Sequence, residues 1–280
     1  MPEAPALGPA AAVAAAATRL SAAGIEQARR EASRLWIAVA GRPVALADRD
    51  PDLVVMGAFE AAVGRRAAGE PFAHITGTIG FRHLDIATDA RALIPRPETE
   101  GLVEAVLARA RGRRVADVGT GTGCIALSLA AEGGCAVVAI DRSAAALTLA
   151  AENARRAGVR VALTLGDLTE PLGAASVDAL VSNPPYLSEE EYAGLDASVR
   201  AWEPALALVS GPDGLDATTR LLDDGRRVVR PGGWLALEVD CSRAAEAGRR
   251  ASALGWLDVT ILNDTFGRER YLLARRRDAS

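Results

Sequence analysis

The sequence predicts an α/β protein: a mostly parallel, doubly wound sheet with an antiparallel last strand, preceded by a small α-helical domain. Three observations predict it. From residue 114 onward, short apolar runs alternate with segments of helical periodicity, the pattern of a parallel sheet covered by helices on both faces. The first of those runs, "RVADVG", passes directly into a glycine-rich loop. Residues 10 to 70, by contrast, are alanine-rich, with apolar positions at helical spacing and almost no strand signal.

The chain opens with "MPEAPALGPAAAVAAAATRL". This stretch lacks a basic leader, carries Glu3 and is broken by prolines, so it reads as a frayed end leading into a helix and not as a signal peptide. "EQARREASRLWIAVAG" places Ala28, Ala32, Leu35 and Trp36 on one helical face, and Gly41 followed by Pro43 stops that helix. "PDLVVMGAFEAAVGRRAAG" repeats the pattern, giving a helical bundle over residues 1–78. "FAHITGTIGFRHLDIATDARALIPRPETE" alternates apolar and polar residues among turn signals, so a hairpin-like linker is expected over 79–96. The third segment, 97–280, starts with a helix in "PETEGLVEAVLARAR", where Pro97 and neighbouring acids suit a helix N-terminus.

Within that segment "RVADVG", "CAVVAID", "VRVALTLGD", "VDALVSN" and "GGWLALEVD" read as strands. "CIALSLAAEG", "SAAALTLAAENARRAG", "TTRLLDDGRRVV" and "RAAEAGRRASALG" read as the helices between and after them. "WLDVTILND" and "ERYLLARR" close the chain as an antiparallel pair.

Composition narrows the function. All 32 basic residues are arginine, and the formal charge of -4 argues against broad non-specific binding to nucleic acid. Cys124, Cys135 and Cys241 have no metal-ligand spacing and only His74 and His83 to assist them. Neither a metal site nor a disulfide framework is expected, and a reducing cytoplasm fits best. No run is apolar and long enough to span a membrane.

"VADVGTGTGCIA" runs from a strand into a helix, with Gly119, Gly121 and Gly123 allowing a tight turn and close backbone approach. Cys124 stands where a dinucleotide G-x-G-x-x-G would need glycine, and a P-loop would need a lysine the chain lacks. What remains is a nucleoside loop, Gly119-Thr120-Gly121-Thr122-Gly123, with Asp117 ahead of it to suit a cationic ligand group. A plain strand-to-helix turn is the alternative. Asp141 ends the next strand, 18 residues after Gly123. It reads as the acid that binds two ribose hydroxyls or as a helix N-cap, and the glycine loop tips the reading toward ribose. Asp167 ends the third strand; it accepts from an adenine amino group, with Leu168 against the ring, or is simply a turn acid.

The fourth strand ends in "NPPY". Ligands of an open α/β sheet sit at the carboxyl ends of its strands, so Asn183 to Tyr186 belong beside the nucleoside pocket. Two prolines make the turn rigid, and Pro184, held extended by Pro185, exposes its carbonyl. That carbonyl and the Asn183 side-chain oxygen are two acceptors, and Tyr186 is a flat wall. Together they suit a planar –NH₂.

On these residues the chain resembles S-adenosylmethionine-dependent methyltransferases that act on planar nitrogens. "EPFAHITGTIGF", "IPRPETE", "EPALALVSGPDGL" and "RPGGWLALE" make the resemblance more specific. They look like the protein-(glutamine-N5) methyltransferases of peptide-chain release factors, the PrmC/HemK family, from about residue 15 to the end. The resemblance implies a Rossmann-like class I methyltransferase sheet and S-adenosyl-L-methionine held by Gly119 to Gly123, Asp141 and Leu168. It also implies a substrate amide gripped by Asn183, Pro184, Pro185 and Tyr186, in the glutamine of the Gly-Gly-Gln loop of class 1 release factors, and docking of that partner protein by the helical bundle 1–78. Family members often carry an aromatic residue where this chain has Leu168, and commonly Gly and Gln around the position of Cys241.

An amide nitrogen is a poor nucleophile because its lone pair is delocalised into the carbonyl. Hydrogen bonds from –NH₂ to Asn183 and Pro184 would aim the lone pair at the sulfonium methyl, and alignment of this kind lowers a barrier by roughly 7 to 11 kcal/mol. No histidine or other base is evident beside the motif, so the departing proton is expected to go to water. A monomer without a nucleic-acid substrate is expected. The alternatives are a methyltransferase of adenine or guanine amino groups and a non-catalytic sensor of S-adenosylmethionine. His74, Trp36, Trp202, Trp234 and Trp256 read as structural, the tail "RRRDAS" as a solvated end, and Arg96 as a residue able to contact cofactor or substrate.

Overall fold

The computed structural model describes residues 8–48 and 52–278. The start of the N-terminal stretch read as a frayed end, Glu3 included, and the last two residues of the tail lie outside the described residues. The chain divides into two compact units, Met1–Thr78 and Ile79–Ser280.

The first unit holds helices α1 (Pro9–Ala22), α2 (Ala28–Ala40), α3 (Leu53–Ala67) and α4 (Phe72–Thr76). Ala28, Ala32, Leu35 and Trp36 form the buried face of α2, and Trp36 meets Phe59 of α3 edge to face at 5.3 Å. Gly41, at φ 69°, ends α2 in the left-handed conformation. The segment "FAHIT", placed by its alternation in the hairpin-like stretch, is instead the short helix α4. Pro71 precedes its first residue and Gly77, at φ 75°, stops it, so one helical turn buries Ala73 and His74 between two breakers.

In the second unit the hairpin β1 (Thr78–Phe81) and β2 (Leu84–Ala87) precedes helix α5 (Thr99–Ala110). Strands and helices then alternate: β3 (Arg114–Val118), α6 (Cys124–Gly133), β4 (Ala136–Asp141), α7 (Ala144–Ala157), β5 (Ala162–Leu165) and β6 (Val177–Ser182). Two short helices, α8 (Glu189–Gly194) and α9 (Ala197–Trp202), follow the proline turn and carry no long apolar periodicity to announce them. Next come α10 (Asp216–Val228), β7 (Val229–Glu238), α11 (Ala244–Ala253), β8 (Leu257–Asn263) and β9 (Glu269–Arg275).

The seven-stranded sheet has the order β5-β4-β3-β6-β7-β9-β8. β5, β4, β3, β6 and β7 run parallel, while β9 is antiparallel to both β7 and β8. Each face of the sheet has its own core. Leu102, Val106, Leu127 and Leu129 cover one face, and Leu221, Leu222, Ala247 and Trp256 the other. The order reverses between β3 and β6, so the carboxyl ends of these strands form the switch point where such sheets bind ligands.

Gly233 lets β7 leave its opening turn close to β6. A Cβ there would lie 2.5 Å from the Asp178 carbonyl oxygen and 2.9 Å from that of Arg230. Neither backbone oxygen can swing away, so Gly233→Ala is expected to cost about 1–3 kcal/mol, read as a melting temperature several degrees lower.

Candidate active site

β3 delivers the chain into the loop 119–123. Gly119, Gly121 and Gly123 all have left-handed backbones, with φ of 71°, 55° and 83°. This conformation by itself accounts for the three glycines. The Gly119 and Thr120 N–H groups donate to the Ile140 carbonyl at 2.8 and 3.0 Å, and the Gly121 N–H donates to Asp141 Oδ2 at 2.9 Å. The loop therefore hangs from the end of β4. Gly119, Thr120, Gly121 and Thr122 line a cavity of about 580 Å³ at the switch point. Gly123 does not; it lets α6 pass α7, since a Cβ there would meet that of Ala150 at 3.2 Å.

Asp117 stands elsewhere than its sequence position suggested. It is fully buried behind the loop, where its Oδ2 accepts from Thr120 Oγ1 at 2.6 Å and from the Ala126 N–H at 3.1 Å. A carboxylate serving the start of α6 in this way lies outside the cavity lining and shapes the site by holding the loop, with its Oδ1 buried and unpartnered among the described residues. Burial pushes its carboxyl up to about 7.

Asp141 lines the cavity, with Oδ2 accepting from Gly121 N–H and Oδ1 from Ser143 N–H. The N-cap of α7 is Ser143, whose hydroxyl accepts from Ala146 N–H, so the alternative reading of Asp141 as the cap does not hold. Asp167 and Leu168 also face the cavity. One Asp167 oxygen is paired with Arg220 at 2.8 Å, and Leu168 is held at φ 48°, strained for a branched residue.

Beyond β6, Asn183 and Pro185 line the same cavity, whereas Pro184 is buried and Tyr186 half-buried, both outside its lining. Asn183 Nδ2 donates to Thr99 Oγ1 at 3.2 Å. The Tyr186 and Leu187 N–H groups donate to the Leu208 carbonyl, pinning the proline turn to residues 205–210. The backbone of Tyr186 thus helps to pin the turn. Arg96 lines the cavity and is clamped by buried Glu203 at 2.7 and 2.8 Å. Arg91, Arg220 and Arg250, also at the cavity, are each paired with aspartate or glutamate, so these arginines present little free positive charge to a phosphate backbone.

Asn153 is a support that the sequence reading did not single out. It is buried on α7, donates through Nδ2 to the Ala87 and Thr122 carbonyls, and accepts from Ala87 N–H at 2.7 Å. These bonds tie the hairpin to the glycine loop. Asn153→Ala leaves their backbone partners unpaired and is expected to cost about 2 kcal/mol of stability and to weaken cofactor binding several-fold. Denaturant unfolding and calorimetry would read the two effects. A second missed residue is Glu238, a carboxyl at the end of β7 directly behind Asn183; it ends a strand as Asp141 does, which was its one signal in the sequence.

Residues 97–200 match the Methyltransferase small domain family, and residues 11–77 match the PrmC N-terminal domain family. A release factor glutamine methyltransferase of Moorella thermoacetica is 45% identical over 274 residues, covering 94% of this chain and 96% of the relative. One from Cereibacter sphaeroides is 43% identical over 268 residues, covering 93% of this chain and 96% of the relative. Among solved structures, a methyltransferase from Pyrococcus furiosus has the same fold, with a TM-score of 0.55 at 21% identity over 71% of this chain and 91% of that one. With this much of its length matched at this identity, the chain belongs to the release factor glutamine methyltransferases.

Proposed function

We propose that this methyltransferase moves the methyl group of S-adenosyl-L-methionine to the side-chain amide nitrogen, N5, of the glutamine in the Gly-Gly-Gln loop of class 1 peptide-chain release factors. One observation carries the reading: Asn183 lines the cavity that Asp141 and the glycine loop also line, with its Nδ2 already donating to Thr99. An asparagine so held offers its Oδ1 to an incoming –NH₂.

The residues fit the proposed methyl donor. Each Asp141 oxygen accepts one backbone N–H and keeps a second lone pair, which suits two ribose hydroxyls. Leu168, Ile94, Ala146 and Pro185 give the cavity apolar walls for a flat base and for a sulfonium that loses charge during transfer. The bound donor supplies an electrophilic methyl on a positively charged sulfur. The protein's task is to bring an amide nitrogen to it in line, with the lone pair freed by hydrogen bonds from –NH₂ to the Asn183 oxygen and the Pro184 carbonyl. In this reading Tyr186 acts by stiffening the turn.

Four of the five arginines that line the cavity are ion-paired, which weighs against a nucleic-acid substrate. Among the described residues no helix is long and apolar enough to cross a membrane. We take the working state to be a cytoplasmic monomer. Incubation of the chain with S-adenosyl-L-methionine and a class 1 release factor, followed by tandem mass spectrometry, tests the site: a single added methyl on the Gly-Gly-Gln glutamine is expected. A methyl on any other residue would contradict it.

A further inference from the structure

Glu238 is the last residue of β7, one step beyond the pairing of Leu237 with Ser182 of β6, so it lies beside Asn183 at the same edge of the sheet. It is 2% exposed and lies outside the cavity lining. Its carboxyl lies beside the Thr99 hydroxyl and the Asn183 side chain, close enough for both to favour its charged form. Thr99 Oγ1 accepts from Asn183 Nδ2, which leaves the Thr99 proton to point toward Glu238. Oε2 of Glu238 makes no hydrogen bond within the described residues. A carboxylate on a buried sheet edge is costly to keep, and packing does not require one there.

An asparagine amide is nearly symmetrical in shape: a half-turn exchanges oxygen for –NH₂. One orientation turns an acceptor toward a substrate –NH₂, the other opposes donor to donor. We propose that Glu238 is a positioning residue that, directly and through Thr99, holds the Asn183 amide with Nδ2 turned inward and Oδ1 turned to the cavity. The inference rests on the methyl-transfer reading above. A carboxylate makes the choice because it only accepts: the reversed amide would set Oδ1 against it. A glutamine in its place could adapt to either orientation.

Other charged and titratable groups facing Glu238 are Arg270 and Tyr271 from β9, Glu98 before α5, Tyr186 from the proline turn and Cys124 from α6. Burial dominates over the favourable Arg270 charge and pushes the Glu238 carboxyl up to about 7. Once protonated it can donate, and its preference for the inward Nδ2 weakens. Turnover therefore rises with pH through about 7 without Glu238 acting as a base.

The chain has three asparagines, Asn153, Asn183 and Asn263, so labelling asparagine with nitrogen-15 yields three side-chain –NH₂ pairs. The Asn183 pair, assigned by its loss in Asn183→Ala, is expected to titrate near pH 7 in wild type and to stay still in Glu238→Gln. In kinetics Glu238→Gln is expected to lower kcat roughly 10- to 100-fold and to lose the near-neutral limb, with KM for the release factor and calorimetric cofactor affinity within about twofold. Glu238→Asp, which keeps the carboxylate, should recover part of the rate. Asn183 signals that ignore both pH and Glu238→Gln would overturn the positioning role while leaving the methyl-transfer reading intact. Failure of wild type to methylate the release factor would instead strike at that reading, with the resonance titration still deciding what Glu238 does to Asn183.

Discussion

Asn183→Ala is expected to lower kcat for release-factor methylation by roughly 100- to 1,000-fold, the size seen when one preorganised hydrogen-bonding group at a reacting centre is removed. The argument is local. β6 ends in a turn stiffened by two prolines and pinned to the Leu208 carbonyl, so Asn183 cannot drift and no neighbour can replace it. Its side chain meets the cavity on one side and Thr99 on the other, away from the loop contacts of Asp141. Cofactor affinity, measured by calorimetry, should therefore stay within a few-fold of wild type. A variant that binds the cofactor normally and turns over normally would show that the motif does not grip the amide.

The second large effect is on stability and comes from Asp117. Burial raises its carboxyl from 3.8 to about 7, against the hydrogen bonds of Thr120 and Ala126 that favour the charged form. Between those values the folded chain keeps a proton that the unfolded chain has released. The stabilisation is thus fully present below the lower value and is withdrawn as pH rises to the upper one, a loss of roughly 4 kcal/mol. Asp117→Asn removes this titration. Its unfolding free energy minus that of wild type should grow between pH 4 and pH 7 and flatten above. Asp117→Ala shares that slope but strands the Thr120 hydroxyl and the Ala126 N–H, so it should lie about 2–3 kcal/mol below Asp117→Asn at every pH and bind the cofactor weakly. Urea titrations of the three proteins at several pH values would separate slope from offset; a difference between wild type and Asp117→Asn independent of pH would show that Asp117 is ionised throughout.

Much of this was legible from residue order. Alternation of strand and helix beyond residue 114 announces the parallel sheet, and the glycine loop, Asp141 and "NPPY" each stand at a strand end, where topology brings them to one edge. Local periodicity could not separate a residue that faces the ligand from one that faces the protein behind it. Asp117, Gly123 and Tyr186 share motifs with cavity residues, yet the chain direction places them behind the lining. For the same reason Asn153, Glu203 and Glu238 went unread: their partners, Ala87, Arg96 and Asn183, are 55 or more residues away in sequence. Helix α4 was missed because five residues between a proline and a glycine carry too little period to distinguish a turn of helix from an extended run.

The most direct measurement offers labelled S-adenosyl-L-methionine and three acceptors to the purified chain: a class 1 release factor, the same factor with its Gly-Gly-Gln glutamine changed to alanine, and nucleic acid. Label on the unaltered factor, and none on the other two, is the expected result. Label on nucleic acid, or equal label on the altered factor, would contradict the account.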